Sequence, residues 1–321
     1  MPQATGANAK IIYDVESTYG STPGAPASIV LPFVSENLTQ KRALFRTNVM
    51  RGNRNQVVPK RGNKDVGGSI TTELNPYMGK PLKHLLGANV TTGAGPYTHT
   101  MKIGALPVSL CFEKQYLDLG TPQYALFNGC RIGRGSFSFG NEGVIPLTLD
   151  IIGKKETLSG SSFHGSPTDL GHNPFDMFEA TILEGGSSIA IVSSVSLDIS
   201  NDLDGGMYVI GGAGERRALP EGVTAITGTL TALFEDATLY TKAVNNTESS
   251  LKITLSRGNG LGSAGNESLE ILVPELVYEQ NSPQIAGPRG IVVELPFSAY
   301  YDNAAETTSL QMILKNTQAT L

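Results

Sequence analysis

Gly68-Ser69-Ile70-Thr71-Thr72-Glu73-Leu74 and Gly228-Thr229-Leu230-Thr231-Ala232-Leu233-Phe234 are the same kind of segment met twice, 160 residues apart. Each is a β-type run, and each is preceded by a glycine six residues earlier, Gly62 and Gly222. A short apolar segment of helical spacing follows both. Slightly upstream, Leu38-Thr39-Gln40-Lys41-Arg42 matches Leu197-Asp198-Ile199-Ser200-Asn201, one residue off the same offset. A two-fold repeat on this scale is far longer than a solenoid unit and reads as duplicated domains. Duplicated β-domains suit ring building, because one chain fills two equivalent positions.

Working outward, the order strand, long hairpin, strand, helix, strands is expected twice. In the first half, strands are expected at Ala9–Tyr13, Leu38–Val49, Gly68–Leu74, Tyr97–Ile103, Val108–Lys114, Gly129–Phe139 and Ile145–Gly153. In the second they are expected at Phe178–Leu183, Ile189–Ile199, Leu251–Ser256, Leu269–Tyr278, Gly290–Tyr300 and Ser309–Lys315. Ser136-Phe137-Ser138-Phe139 alternates as a half-buried antiparallel strand must. Leu82, Leu85 and Leu86 predict a helix with Pro81 at its first position and Gly87 as its stop. Asp236 is read as the N-cap of a second, with Leu239, Tyr240, Ala243 and Val244 on one face and Asn245-Asn246 at its end. The fold class is mainly β: two tube-like β-sandwich or partial-barrel domains, each with one short helix against its sheet. The divisions are an arm at 1–33, a first domain at 34–157, a linker at 158–174 and a second domain at 175–321.

A chain of 321 residues with 40% hydrophobic content supports two cores, and no run approaches the length of a membrane span, so no membrane insertion is expected. The start, Met1 to Gly6, has neither a basic cluster nor an apolar stretch of signal-peptide type, which predicts assembly in a cytoplasm. Cys111 and Cys130 match no metal spacing and read as buried free thiols. Asn-x-Ser/Thr triplets at Asn37, Asn89, Asn245 and Asn266 need a secretory route that the sequence does not show. The net charge of −5 is unevenly spread. Residues 1–160 hold 17 Lys/Arg against 10 Asp/Glu, whereas residues 161–321 hold 7 against 19. Halves of +7 and −12 attract each other across a subunit boundary, an effect on steering and partner choice more than on affinity.

The candidate contact residues lie in a basic loop containing Lys41, Arg42, Arg46, Arg51, Arg54, Lys60, Arg61 and Lys64, without an acidic residue among them. Its counterpart at 201–221 contains Asp202, Asp204, Glu215 and Glu221 against Arg216 and Arg217. A loop that diverges in charge while nearly keeping its length fits selection for contact. Phosphate is one chemical match for the basic loop, but Phe45 is its only aromatic for stacking. Catalytic motifs fail on context. Gly260-Leu261-Gly262-Ser263-Ala264-Gly265 has the dinucleotide spacing, yet a strand-like run follows it where the pyrophosphate site needs a helix. His84, His99, His164 and His172 share no metal spacing, and no serine sits in a nucleophile elbow. No catalytic, metal or cofactor site is expected.

Several segments together carry a family resemblance. They are Tyr19-Gly20-Ser21-Thr22-Pro23, Leu31-Pro32-Phe33-Val34-Ser35-Glu36-Asn37-Leu38, and the Arg-rich loop closing in Gly67-Gly68 to Leu74. Lys80-Pro81-Leu82-Lys83-His84-Leu85-Leu86-Gly87, Thr227 to Asp236, Leu239-Tyr240, Val273-Pro274-Glu275-Leu276 and Leu295 to Tyr300 follow in order. Over residues 10–316 the pattern resembles the major tail tube proteins of long-tailed, siphophage-type bacteriophages, in the larger form with a duplicated tube domain. The resemblance implies a structural virion protein without enzymatic activity, whose rings stack into a tube that conducts genomic DNA. It implies sheets joined edge to edge into one inner barrel, and six tube domains a ring, hence a trimer of duplicated chains in place of a hexamer. Expected partners are the chain itself, a tape-measure protein and double-stranded DNA in the lumen, and tail terminator and tail-tip proteins at the ends. The basic loop is then expected to reach the adjacent ring. From a different class, a carbohydrate- or receptor-binding β-sandwich module is the alternative, but it calls for aromatic platforms in a chain with no tryptophan.

Overall fold

The computed structural model describes residues 3–285 and 287–321. Among the described residues, nineteen strands join into one large, mainly antiparallel sheet, accompanied by two short α-helices. The first half contains β1 (Ala9–Glu16), β2 (Ile29–Val30), β3 (Ser35–Glu36), β4 (Thr39–Phe45) and β5 (Lys60–Glu73). After α1 (Gly79–Leu86) come β6 (Gly87–Thr92), β7 (Tyr97–Ile103), β8 (Ser109–Tyr116), β9 (Gln123–Phe139), β10 (Pro146–Gly153) and β11 (Lys155–Ser159). The second half contains β12 (Ala180–Glu184), β13 (Ser187–Ser188), β14 (Val192–Ser200) and β15 (Ala225–Leu233). It continues through α2 (Thr238–Val244) to β16 (Ser249–Ser256), β17 (Ser268–Tyr278), β18 (Val292–Ala299) and β19 (Gln311–Asn316).

The long path through the sheet runs β4–β5–β10–β9–β14–β15–β18–β17. Two shorter branches leave it, β9–β8–β1 and β17–β16–β12. A third, β17–β19–β7–β6, ties the C-terminal strand to the first half. Alternation sets the two faces of the long path. Ile70, Leu147, Leu149, Phe137, Val195, Leu197, Leu230, Leu295 and Phe297 all turn into one core, each at most 2% exposed. Burying side chains of this size is worth roughly 1.5–3 kcal/mol each, which is what holds so many short strands in one register.

Helix α1 lies against β9 because Gly135 presents no side chain there; a Cβ on Gly135 would stand 2.4 Å from Leu85 Cδ2. Leu82, Leu85 and Leu86 are buried, and Gly87, with φ of 101°, ends the helix while its N–H bonds Lys83 O. The helix begins at Gly79, two residues before Pro81, so Pro81 sits inside the first turn and not at its first position. In α2 the N-cap position is Ala237; Asp236 serves one residue earlier, its Oδ1 accepting from Thr238 N at 2.7 Å.

The expected linker is pinned to the first half. Thr168 exchanges backbone bonds with the β2 region, Val30 N to Thr168 O and Thr168 N to Ser28 O, both at 2.9 Å. Glu113, 1% exposed, accepts from Phe163 N at 2.9 Å and from Ser162 Oγ at 2.6 Å. The stretch Gly260–Gly265 is a turn between β16 and β17, with strand on both sides, as its sequence context predicts.

Candidate assembly surface

Opposite the core, the long path presents a polar face. Ser69 and Thr71 on β5, Thr148 and Asp150 on β10, Arg134 and Ser136 on β9, Ser196 and Asp198 on β14, and Thr227 and Thr229 on β15 are all half-buried or exposed. The alternation that sends Ile and Leu inward sends these small hydroxyls outward. The joint between the halves crosses this face. Strand β14 pairs with the C-terminal part of β9 from Val195–Phe139 to Ser200–Arg134. Asp198 Oδ1 accepts there from Arg134 Nη2 at 2.8 Å and from Ser136 Oγ at 2.5 Å. Asn201 closes the end of the joint, its Nδ2 donating to Leu85 O at 2.8 Å and to Ile132 O at 3.2 Å.

The basic segment is a β-hairpin. Lys41 and Arg42 lie on β4, Lys60, Arg61 and Lys64 on β5, so the connecting loop is the shorter stretch 46–59, which holds Arg46, Arg51 and Arg54. The tip points away from the body: residues 41–56 are all exposed, Met50 almost wholly at 96%. Arg42 folds back on the hairpin, donating Nε and Nη2 to Gly62 O at 3.0 and 2.9 Å. Arg51 Nη2 reaches Gln56 O at 3.3 Å. Among the described residues, Lys41, Arg46, Arg51, Arg54, Lys60 and Arg61 take part in no ion pair.

The counterpart loop, 201–224, docks on the base of that hairpin. Lys64 N donates to Gly214 O at 2.7 Å, and Tyr208 OH to Lys64 O at 2.8 Å. Lys64 Nζ pairs with Glu215 Oε1 at 2.6 Å. Partial burial acts to raise the Glu215 pKa, but the bond from the Lys64 ammonium overrides it and holds the carboxyl below its ordinary value. Arg216 is 6% exposed and satisfies its fork on Gly205 O (2.7 Å), Val66 O (2.9 Å), Gly153 O (2.7 Å) and the Asp65 carboxylate. The structure therefore brings Lys64, Glu215 and Arg216 together inside one chain. Asp202, with φ of 45°, and Asp204 shape the start of the loop; Asp204 Oδ1 accepts from Gly206 N at 2.7 Å. Arg217 N bonds Met207 O at 2.8 Å. The periodicity of the sequence shows none of this, because the partners lie about 150 residues apart.

The buried polar groups are structural. Glu16, 1% exposed, accepts from Gly20 N, Ser109 Oγ, Asn128 Nδ2 and Gly129 N at 2.6–3.1 Å, tying the start of the chain to β8 and β9. His99 is buried between Thr91 Oγ1 (2.9 Å) and the C-terminal strand, where Asn316 Oδ1 is 3.1 Å away. His84 is buried in α1, and desolvation together with the nearby Lys83, Arg131 and Lys80 charges lowers its pKa to about 3. Cys111 and Cys130 are buried free thiols; burial first, then the Glu16 charge, pushes Cys111 up to about 12. Among the described residues no cluster of His, Cys, Asp or Glu has the make-up of a metal site. No helix among them is long and apolar enough to cross a membrane.

A large antiparallel sheet with an open strand at β4 and a projecting basic hairpin suits a β-protein that associates through its edges. Residues 6–299 match the phage tail tube protein family, and the chain belongs to it. It is a structural protein of the phage tail and so of the virion, not an enzyme, and the family assembles with itself into the tube. No curated protein matches the chain.

Proposed function

We propose that this chain is the major tube protein of a siphophage-type tail, a duplicated tube fold in which each chain fills two positions of a three-chain ring. What carries the reading is the order of strand pairing. The run β4–β5–β10–β9 with its branch β9–β8–β1 has the same form as β14–β15–β18–β17 with its branch β17–β16–β12. The details agree: the register slips between Leu110 and Phe112 and again between Ser249 and Leu251. A Cβ on Gly68 would meet Asn37 O at 2.6 Å, and one on Gly228 would meet Ser196 O at 2.2 Å. The domains are then 34–157 and 175–321 with an arm at 1–33, and the described residues of the arm and the segment 158–174 are strapped across the first.

In this reading the β9–β14 joint is one lateral contact of an inner barrel, which removes the exposed edges an isolated sheet must otherwise protect. Each chain supplies eight strands of the long path, twenty-four for three chains. The face rich in Ser and Thr lines the lumen. Its charges include Glu73, Asp150, Asp198 and Glu294 against an Arg134 that Asp198 already neutralises and an Arg131 paired with Glu221, so passing DNA finds little there to bind. The free cations of the hairpin beyond its base at Lys41 and Arg42, namely Arg46, Arg51, Arg54, Lys60 and Arg61, reach the adjacent ring. Lys64, Glu215 and Arg216 hold the hairpin's root, and the counterpart residues Asp202, Asp204 and Arg217 shape the loop that docks on it. Tail terminator and tail-tip proteins cap the two ends.

The test is negative-stain microscopy of the purified protein at high concentration, with averages of end-on views. Hollow tubes or rings of six lobes with three-fold differences between alternate lobes are expected. Six-fold rings in which the second half decorates the outside would overturn the duplicated arrangement.

A further inference from the structure

Among the described residues, two edges of the long path lack partners, and their sequence positions are related. Strand β14 is covered on both sides, by β15 and by β9. Its counterpart β4 is covered by β5 alone. At the other end, the C-terminal part of β9 is covered by β10 and β14. Its counterpart, the continuation of β17 past Tyr278, runs beside β18, with Glu279 N on Pro296 O at 2.7 Å and Asn281 Nδ2 on Glu294 O at 3.0 Å. Residues 279–285 form no regular strand, whereas Arg134–Phe139, which has its second partner, does.

The register of the missing contact follows from the one present. Leu197 stands opposite Gly228, and pairings on either side of Leu38 (Glu36–Ile70 and Thr39–Gly67) set Leu38 opposite Gly68. Leu38 therefore takes the place of Leu197. Leu295 stands opposite Leu230 as Leu149 stands opposite Ile70, and Leu149 faces Gly135. Continuing β17 alongside β18 puts Gln280 opposite Leu295, hence in the place of Gly135. The pairs Ser200–Arg134, Ile199–Gly135 and Asp198–Ser136 translate into Lys41–Glu279, Gln40–Gln280 and Thr39–Asn281.

We propose that β4 of one chain adds to the edge of residues 278–281 of a second copy, with Lys41 opposite Glu279 and Thr39 opposite Asn281. This rests on the reading of the chain as a ring-forming duplicated tube protein and specifies the contact between copies. Three observations favour a second copy as the occupant. The geometry continues a joint the chain already makes with itself. Asn37 N donates to Ser69 O at 2.9 Å, which turns the N–H groups of Thr39 and Lys41 toward β5 and those of Gln40 and Arg42 toward the open side. The translated register also sets an ammonium opposite a carboxylate, both exposed and neither in an ion pair among the described residues. The joint starts at Thr39, because Leu38 O is already occupied by Lys114 Nζ at 2.5 Å.

Thr39 and Asn281 form a pair without mutual backbone hydrogen bonds, the closer kind, with Cα atoms about 4.5 Å apart and within disulfide reach. A chain carrying both Thr39→Cys and Asn281→Cys should, after assembly and mild oxidation, give a ladder of covalent multimers on a non-reducing gel. Thr39→Cys with Gln280→Cys puts the second thiol on the other face and should give none. Separately, Lys41→Glu and Glu279→Lys should each slow assembly several-fold, and the two together should restore it. Wild-type tubes whose 39–281 variant does not cross-link, or single reversals that the double change does not rescue, would overturn this joint and leave the tube reading standing. A wild-type chain that stays monomeric under the microscope at high concentration would remove the ring reading and the joint with it.

Discussion

At Gly228 a methyl group would stand 2.2 Å from Ser196 O and 2.4 Å from Phe297 Cζ, so neither backbone nor ring can give way cheaply. Gly228→Ala should therefore cost about 1–3 kcal/mol in denaturant unfolding, the range for an overpacked core. A shift of the urea midpoint within error would show that the β14–β15–β18 crossing is looser than described. His84 gives a pH dependence with a definite sign. Folded, it stays neutral down to about pH 3; unfolded, it takes its proton near the ordinary value of 6.5. Its contribution is complete above pH 6.5 and is lost as the pH falls toward 3, because the unfolded chain binds the extra proton. Between pH 7 and pH 5 the loss is about 2 kcal/mol. His84→Leu should flatten that part of the stability curve, read as the difference between urea midpoints at the two pH values.

The hairpin β4–β5 has a rooted base and a free tip, and the two should answer differently to substitution. Arg51→Glu with Arg54→Glu touches no packed group; circular dichroism and melting should stay as they are while tubes become fewer and shorter under the microscope. Unchanged tube formation would remove the tip from the contact between rings. Arg216→Ala acts on the base, where it strips three backbone carbonyls and Asp65 of their donor. The expected cost is about 2–3 kcal/mol, with faster hydrogen exchange confined to 201–224 and the start of β5. Elements of this kind were legible to different degrees. Alternation announced β16 and the end of β9, β-type runs announced β15 and the second half of β5, and leucine spacing announced α1. Strand β6 was not, since Gly87-Ala88-Asn89-Val90-Thr91-Thr92 has no apolar alternation and is held by pairing with β7. The first third of β9 escaped for a similar reason: Gln123–Asn128 is strand because β8 and β11 flank it. The arm of the hairpin also ends earlier than its sequence suggests, at Phe45 instead of Val49, because pairing with β5 stops there.

At the scale of the whole chain, the charged residues of the two loops were visible in the sequence, but their partners within the chain were not. Nothing in the periodicity of Lys64 or Arg216 points to the other, and the β9–β14 joint exists only once the long path is assembled. The uneven charge is different, because it is a property of the halves and needs no coordinates: +7 for residues 1–160 and −12 for residues 161–321. In a ring of duplicated chains every lateral boundary places a first half against a second half, so the long-range field draws copies together before any strand pairs. Screening shortens the reach of that field from about 10 Å at 0.1 M salt to about 3 Å at 1 M, while backbone pairing and apolar burial are little affected. Raising salt from about 0.05 M to about 0.5 M should therefore lengthen the lag before tubes form several-fold. Tubes already formed should persist through the same change. Light scattering follows the lag, and microscopy of pre-formed tubes checks their persistence. A lag that does not lengthen would mean that the boundaries do not join unlike halves, and that like meets like around the ring.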